Sequence, residues 1–599
     1  MKWVLAESDA EAAAALAVQA GLTPLVATLM VNRGITDADA ARSFLSCELS
    51  GLSDPALFLH MDRAVRRIRE AVSSREKIVV YGDYDVDGVT GAALLFLALR
   101  ESGANVECYI PDRMTEGYGL NSEAVRKIKS TGAGLIITVD CGISARAEAD
   151  AARSLGLDLI ITDHHEFTTH PESKTLNQKN AGSIERPISR ISDLESALPD
   201  AYAVIHPALL SPEVPERVRG EVGCLTGVGV AFKLAQALLG AKADDERLTQ
   251  YLDLVCLGTV ADVGRLSGEN RVLVKHGLER LSTAGPLLRP GIAALKEAAG
   301  LNGKKITAGT VGFTLGPRIN ASGRLENAAM AFRLLTTESH EEAAELARAL
   351  DAVNRERQSV ETGIWEEARQ MCRKMDLAGA GAIVLSSKEW HPGVVGIVAS
   401  RIADEFYRPT ALICVKDGVG KGSARSIPGF DLYAGLAQCS DLLLGFGGHA
   451  YAAGLSVAAD NLPLLQERLS AVARERLGPE GFVRKLTVDS ATALDDITID
   501  VMGEIERLAP FGQGNPEPRL GARDLEVVSS RIVGGNHLKL KVRQGEGSPV
   551  GAIAFNRGSL LGRQVRDGGR IAAVFTPRLN TWNGSTSVEL EIKDVKTEK

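Results

Sequence analysis

Lys77-Ile-Val-Val-Tyr-Gly-Asp-Tyr-Asp-Val-Asp-Gly88 is the stretch from which the fold can be read. Its first half is a short apolar run closed by Gly82, and Thr90 to Arg100 just downstream carries a helical pattern, so the whole reads as strand, loop and helix. The unit recurs. Val106 to Ile110, Leu135 to Val139 and Leu157 to Thr162 are further strands of the buried type, with helices predicted at Ser122 to Ser130 and Arg146 to Leu155. Alternating strands and helices predict a parallel sheet in a doubly wound α/β domain. The second half of the stretch sets Asp83, Asp85 and Asp87 just past the strand, where such sheets place their ligands. Three carboxylates on alternate residues repel one another, and a hard divalent cation is the simplest remedy. An EF-hand loop is excluded, because the downstream Glu and the flanking helices are wrong. A solvated acidic turn is the alternative while the stretch is taken by itself.

Repetition changes that balance. Asp140 follows the strand ending at Val139, and Asp163-His164-His165 follows the strand ending at Thr162. Asp262, in Gly258-Thr-Val-Ala-Asp262, follows the apolar run Leu252 to Leu257. Carboxylates and imidazoles converging on one edge of a sheet suit manganese or another divalent transition ion, and magnesium is also compatible.

Outward from this core, 599 residues imply several domains, and 45% hydrophobic with 24% charged residues excludes a disordered or collagen-like chain. The longest apolar run, Ala92 to Leu99, is far short of the roughly 18 residues that span a bilayer. Glu7, Asp9 and Glu11 give the wrong charge order for a signal peptide, so a cytoplasmic protein is expected. Eight scattered cysteines without C-x-x-C spacing argue against a zinc ribbon or a disulfide framework. Net charge is −8, but from Arg519 to Lys599 there are 14 Lys and Arg against 8 Asp and Glu, a local +6. The C-terminal region is therefore the basic module.

The segments expected are 1–55, short helices with Thr36 as a capping candidate; 56–325, the first α/β domain, with a polar surface insertion at about 167–199; and 326–377, one long helix. Ser339 with Glu342 forms a capping box for that helix, whose apolar residues from Leu346 to Met375 keep helical spacing, with Gly363 as a candidate kink. Residues 378–480 form a second α/β region with strands at Ala382 to Leu385 and Thr410 to Cys414, and 481–599 turn to short alternating strands such as His537 to Val542, predicting a small β-barrel. Phe511, Gln513 and Asn515, with His537, Lys539 and Lys541 on one strand, suit a single-strand groove of cations and π-faces.

Asp83-Tyr-Asp-Val-Asp-Gly88, Val139-Asp140, Asp163-His-His165 and Gly258-Thr-Val-Ala-Asp262 resemble the four motifs of the DHH phosphoesterase superfamily. Pro111-Asp-Arg-Met-Thr-Glu-Gly-Tyr-Gly-Leu120, Gly316-Pro-Arg-Ile-Asn-Ala-Ser-Gly-Arg324, Trp390-His-Pro-Gly393, Lys421-Gly-Ser-Ala-Arg425 and Gly445-Phe-Gly-Gly-His449 extend the resemblance to its single-strand-specific exonucleases, over about residues 56–475. Pro510-Phe-Gly-Gln-Gly-Asn-Pro516 leads into a barrel similar to that family's OB-fold, and the second α/β region is DHHA1-like.

The resemblance implies a two-metal 5′→3′ exonuclease of single-stranded DNA, acting in repair and recombination with Mn2+ or Mg2+ as cofactor. It implies metal ligands at Asp83, Asp85, Asp87, Asp140, His164 and Asp262, Asp140 bridging, with His164, His165 and Asp140 catalytic. Arg113, Ser423 and Arg425 resemble a pocket for the terminal phosphate, and Tyr118, Arg318, Asn320, Arg324, His391, Gly447, Gly448 and His449 complete the expected substrate contacts. A cleft between the two α/β domains would admit one strand, and a single-strand-binding protein and a RecQ-type helicase are the implied protein partners. Rivals are a DHH phosphodiesterase of short oligonucleotides or cyclic dinucleotides, disfavoured by the extra basic barrel, and a non-catalytic single-strand binder, disfavoured by the intact carboxylates. The chain departs from the family pattern in its insertion after Glu166 and in Gly264-Arg265, where a Val-Pro or similar pair is expected.

Overall fold

The computed structural model describes every residue except 114, 167–197, 284, 286–287, 326, 378, 563–564, 583 and 599. The expected insertion therefore lies, apart from Leu198 and Pro199, outside the described residues. The chain forms two compact units, one of Leu5–Gly323, Asn327–Arg348 and Thr487–Lys599, the other of Met1–Val4, Arg324–Glu326 and Ala349–Leu486.

The first unit holds a five-stranded sheet, all parallel, in the order Asn105–Tyr109, Lys77–Gly82, Ala133–Val139, Asp158–Thr162, Ala203–Ile205. Side chains alternate between its faces. Val79, Tyr81, Ile136, Leu159 and Ile161 pack with Ala124, Val125, Ile128, Ala149 and Ala152 of the helices Ser122–Ser130 and Arg146–Ser154. On the opposite face, Val86–Glu101 and Gly227–Leu239 cross the sheet and each other so closely that a Cβ at Gly91 would lie 2.6 Å from Val139 Cγ1 and 3.2 Å from Val228 Cα. The chain leaves Lys77–Gly82 toward one neighbour and later returns to pair on its other side, which makes the end of that strand the topological switch point.

The same unit holds the C-terminal barrel. Leu520–Val533, His537–Gln544, Val550–Ala554, Ser585–Glu598 and Arg570–Trp582 follow one another in the sheet, and the last pairs back with the first, closing a five-stranded OB-type barrel. The N-terminal helices Ala10–Ala20, Pro24–Val31 and Ala38–Ser46 share its core: Leu16, Val26, Leu29, Met30 and Leu45 belong to one buried cluster with Leu520, Leu540, Phe575 and Leu590. The third of these helices is capped by Asp37, whose carboxylate accepts from Ala40 N at 2.8 Å, and not by Thr36.

In the second unit the sheet order is Leu443–Gly448, Ala452–Ala458, Val419–Arg425, Thr410–Lys416, Ile383–Ser387, antiparallel except for the last pair. The segment expected as one helix over 326–377 is two: Ala329–Thr336 ends at Thr337, whose extended backbone breaks the helix, and His340–Lys374 follows, unbroken through Gly363 and about 52 Å long. Its capping box is half made. Ser339 Oγ accepts from Glu342 N at 3.2 Å, while the Glu342 carboxylate turns to Arg333 and Thr337.

Candidate metal centre and substrate contacts

The backbone lines up the acidic residues before any side chain acts. Asp83, Asp140 and Asp163 each stand one residue beyond a strand, and each extends the ladder: Asp83 N donates to Val139 O at 3.2 Å, Asp140 N to Thr162 O at 2.9 Å, and Asp163 N to Ile205 O at 3.2 Å. Asp140 has φ +63°, a left-handed conformation that non-glycine residues rarely adopt and that recurs at functional sites. Asp262 arrives differently, as the C-terminal cap of the helix Leu252–Ala261.

Side-chain bonds then fix the orientations. Asp85 Oδ1 caps the helix Val86–Glu101, accepting from Asp87 N at 2.9 Å and Gly88 N at 3.1 Å. Asp87 accepts from Gly227 N at 2.7 Å and Val228 N at 2.9 Å, the first turn of Gly227–Leu239, where the helix dipole favours a carboxylate. Asp163 is the brace of the Asp-His-His turn: it accepts from Ile143 N at 2.9 Å, His164 N at 2.7 Å, His165 N at 3.1 Å and His165 Nδ1 at 2.8 Å. His206, beyond the fifth strand, donates through Nε2 to the His165 carbonyl at 3.0 Å.

His164 Nε2 comes to lie 3.1 Å from Asp140 Oδ1, 3.7 Å from Asp87 Oδ2 and 3.9 Å from Asp262 Oδ2, while His165 Nδ1 is 3.7 Å from Asp140 Oδ1. Three overlapping sets result: Asp140 with His164 and His165; Asp87 with His164 and Asp262; Asp83 with Asp85 and Asp140. Burial, then the charge of Asp85, pushes the Asp83 carboxyl well up and that of Asp87 to about 7; burial and the charge of Asp87 raise Asp140 well up and Asp262 to about 9. Burial pushes His164 down to about 4, leaving a neutral imidazole. Burial opposes charge on His165, yet Asp163 raises it to about 9, and His165 with the backbone donors holds Asp163 at about 2 against the same burial. Asp83 Oδ1, Asp140 Oδ1 and His164 Nε2 are buried with no hydrogen-bond partner. Carboxylates that resist ionisation and a neutral imidazole with an unused lone pair are the donor set a divalent Mn2+ or Mg2+ takes.

Glycines make this packing possible. A Cβ on Gly227 would lie 2.5 Å from Asp140 Cβ, one on Gly258 2.8 Å from Asp87 Oδ1, and one on Gly323 2.6 Å from Tyr84 O. The last contact lays the helix Gly316–Leu325, with Arg318 and Asn320, against the Asp83–Asp85 loop. Arg113 stacks over Tyr84 at 5.0 Å, Tyr84 meets Tyr118 edge-on at 6.4 Å, and the Tyr118 hydroxyl is 3.1 Å from His165 Nε2. The bracing role of Asp163, His206 and these glycines is not read from sequence, because a brace and a permissive glycine look like any other Asp or Gly until their neighbours are known.

The remaining candidates fall in the second unit. Ser423 and Arg425 share one face of their strand, with Arg425 Nη1 donating to Ser423 Oγ at 2.7 Å and to Ala424 O at 2.8 Å. A Cβ on Gly396, in the first turn of Val395–Phe406, would lie 2.9 Å from Ser423 Oγ and 3.0 Å from Arg425 Nη2, so a helix N-terminus stands over them. Gly447 is in register with Gly454 and Gly454 with Ser423, which sets Gly447 about 10 Å, or two strand spacings, from Ser423. Gly448 has φ +139° and His449 Nδ1 accepts from Tyr451 N at 3.3 Å. Arg324 Nη1 donates to Gly393 O at 3.1 Å, and His391 Nδ1 accepts from Gly393 N at 3.1 Å.

The barrel groove needs correction. Asn515 is buried and turned inward, donating to Leu508 O at 2.8 Å and Pro510 O at 2.9 Å and accepting from Arg33 Nε at 2.8 Å, and Phe511 packs against the barrel core. Both serve the fold. On the strand His537–Gln544, Leu538, Leu540 and Val542 are buried and Lys541 is exposed, while Arg543 and Arg578 on the barrel are tied to Glu526 and Glu517.

Three family models match the chain: the DHH family N-terminal domain at residues 77–259, the DHHA1 domain at 379–475 and the RecJ OB domain at 488–594. A single-stranded-DNA-specific exonuclease RecJ of Bacillus subtilis (strain 168) is 40% identical, over 99% of this chain and 70% of its own. The protein of the same name from Escherichia coli (strain K12) is 36% identical over 96% of both chains. Among solved structures, RecJ in complex with Mn2+ from Thermus thermophilus superposes with a TM-score of 0.78 and 30% identity, covering all of this chain and 80% of that one. With identity of this extent running through all three domains, the chain belongs to the RecJ family of the DHH superfamily.

Proposed function

We propose that the chain is a metal-dependent exonuclease that hydrolyses single-stranded DNA from its 5′ end and releases 5′-mononucleotides, in repair and recombination. The observation that carries this reading is the cluster of buried carboxylates and half-buried imidazoles at adjacent strand ends, with three buried donor atoms, Asp83 Oδ1, Asp140 Oδ1 and His164 Nε2, that make no hydrogen bond. Asp83, Asp85, Asp87, Asp140, His164 and Asp262 are assigned to two divalent ions, Mn2+ or Mg2+, with Asp140 shared. Such a pair, when bound, generates a nucleophile from water near neutral pH and stabilises charge on the leaving oxygen.

The chain's own residues do the rest. His165, kept cationic by Asp163, is placed to donate a charge-assisted hydrogen bond to a phosphate oxygen. Arg425 and Ser423 in the one unit, and Arg113 in the other, are each assigned a phosphate contact near the 5′ end of the strand, since guanidinium matches phosphate bidentately. Tyr118 offers a face to a base, and Arg318, Asn320, Arg324, His391 and the backbone of Gly447-Gly448-His449 hold the following phosphates. Boundaries near residues 55, 325, 377 and 480 separate the functional segments. Family resemblance supports a cytoplasmic enzyme that meets a single-strand-binding protein and a RecQ-type helicase; among the described residues no single helix is long and apolar enough to cross a membrane.

The test incubates wild type and Asp140→Ala with Mn2+ or Mg2+ and a 5′-phosphorylated, 3′-labelled single strand or the matching duplex. Mononucleotides released stepwise from single strands only, and lost in the variant, are the expected result. Binding without cleavage under either metal would overturn it in favour of a scaffold.

A further inference from the structure

Phe313 is the most exposed large apolar side chain described, 88% exposed to solvent. Scattered exposed apolar residues are ordinary on protein surfaces, so exposure alone assigns nothing. Its carrier is not ordinary. Val311–Leu315 is a π-helical turn, a rare geometry that tends to mark functional sites, and it runs without a break into the helix Gly316–Leu325. Val311 and Leu315 are buried and hold the turn to the core, so the ring between them is presented outward on a fixed base.

That base abuts the metal centre. A Cβ on Gly312 would lie 3.7 Å from Val260 Cγ1 and one on Gly316 3.2 Å from Ala261 Cβ, which puts the turn against the end of the helix capped by Asp262. Seven residues on, Gly323 touches the carbonyl of Tyr84, between Asp83 and Asp85. The segment thus runs beside the acidic cluster from Asp262 to the Asp83–Asp85 loop, with Phe313 at one end and the Arg113–Tyr84–Tyr118 group at the other. Arg318 and Asn320, half-buried, lie between. Aromatic faces and cations spaced along one ridge are what a single strand with unpaired bases binds, since every base has a π-face.

We infer that Phe313 is a base-stacking residue for the DNA strand held at the metal centre, a second aromatic station at the opposite end of this ridge from Tyr84 and Tyr118. The inference rests on the single-strand exonuclease reading. A duplex, whose bases are already stacked, could not use it, so the ring adds to discrimination for single strands.

The test compares wild type, Phe313→Ala and Phe313→Trp on a 5′-phosphorylated strand and on copies carrying one abasic (tetrahydrofuran) residue at successive positions. Phe313→Ala is expected to raise KM about 5- to 150-fold, the range of one base–aromatic stack, with Phe313→Trp restoring it. At one abasic position wild type should weaken to match Phe313→Ala, and the variant should lose nothing further. Anisotropy of the same strands without divalent ion reads the stack independently of cleavage, so an inactive wild type would refute the exonuclease reading and leave the stacking test standing. A KM and a binding constant within twofold of wild type, or a penalty identical at every abasic position, would overturn the assignment and make Phe313 a contact for a protein partner.

Discussion

Substituting Gly227→Ala probes how the metal centre is kept in shape. The added methyl would lie 2.5 Å from Asp140 Cβ, 2.7 Å from its Oδ1 and 2.8 Å from its Cγ, where ordinary contact begins at 3.4 Å, so about 0.6–0.9 Å of displacement is needed in a close-packed interior. Asp140 cannot swing away cheaply: it is buried, its φ is +63° and its N–H is tied to Thr162 O. The helix cannot retreat without pulling Gly227 N and Val228 N from Asp87. Overpacking of this kind costs about 1–3 kcal/mol of stability. The larger consequence is functional, because a displacement near 1 Å at reacting groups costs about 100-fold in rate, and disturbing the support of metal ligands costs about 10–100-fold in metal affinity. Gly229→Ala is the control on the same helix, since its methyl meets first the Leu225 side-chain tip at 2.9 Å. Thermal midpoints, Mn2+ titrations and kcat for both variants decide the matter. If Gly227→Ala loses stability like Gly229→Ala yet keeps its Mn2+ affinity and kcat within about twofold, the contact with Asp140 does not position the ligand.

Metal binding should depend on pH. Without an ion, Asp87 and Asp262 hold their protons up to about 7 and about 9 when folded, but release them near 4 when unfolded, so metal-free stability falls as pH rises through about 4–9. A divalent ion must displace those protons; the midpoint increase caused by a fixed Mn2+ concentration should therefore be larger at pH 8.5 than at pH 6, and an equal increase would contradict the raised values. Asn515→Ala leaves two carbonyls and an Arg33 N–H without their partner, costing about 2–4 kcal/mol, and hydrogen exchange should quicken in Pro24–Val31 and Ile499–Arg507 while the DHH sheet is unaffected. Arg425→Lys should reduce the preference in kcat/KM for a 5′-phosphorylated over a 5′-hydroxyl strand about tenfold, the size of one charge-assisted hydrogen bond; an unchanged ratio would remove Arg425 from the terminal-phosphate pocket.

Much of the fold was legible because local pattern and tertiary environment agree. Lys77 to Tyr81 and Leu135 to Val139 are apolar without alternation because both faces of a parallel sheet are covered, and the strands run Lys77–Gly82 and Ala133–Val139. Ser122 to Ser130 carries its own cap, Asn121, accepting from Ala124 N at 2.7 Å, and the predicted helix has those bounds. Asp83, Asp140 and the Asp-His-His turn were placed together for the same reason, since strand ends of a parallel sheet share one edge. Thr36 is not the cap because the helix starts one residue later, at Ala38, where Asp37 holds the N-cap position and its charged carboxylate accepts from Ala40 N. Asn515 failed as a DNA contact because its amide satisfies two carbonyls of its own turn, a choice that depends on Arg33, far away in the chain.

From sequence alone, the periodicities and the order of motifs determined the parallel sheet, the long helix, the terminal barrel and the loops that carry the acidic residues, since each is set by neighbours within a few turns of chain. Tertiary structure decided what depends on distant residues. It brought Asp262 in from a helix end, made Asp163 and His206 the supports of the two histidines, seated the N-terminal helices in the barrel core and set Phe313 outward on a π-turn. Those outcomes follow from how side chains fill shared space and satisfy buried polar groups, and no local pattern encodes either.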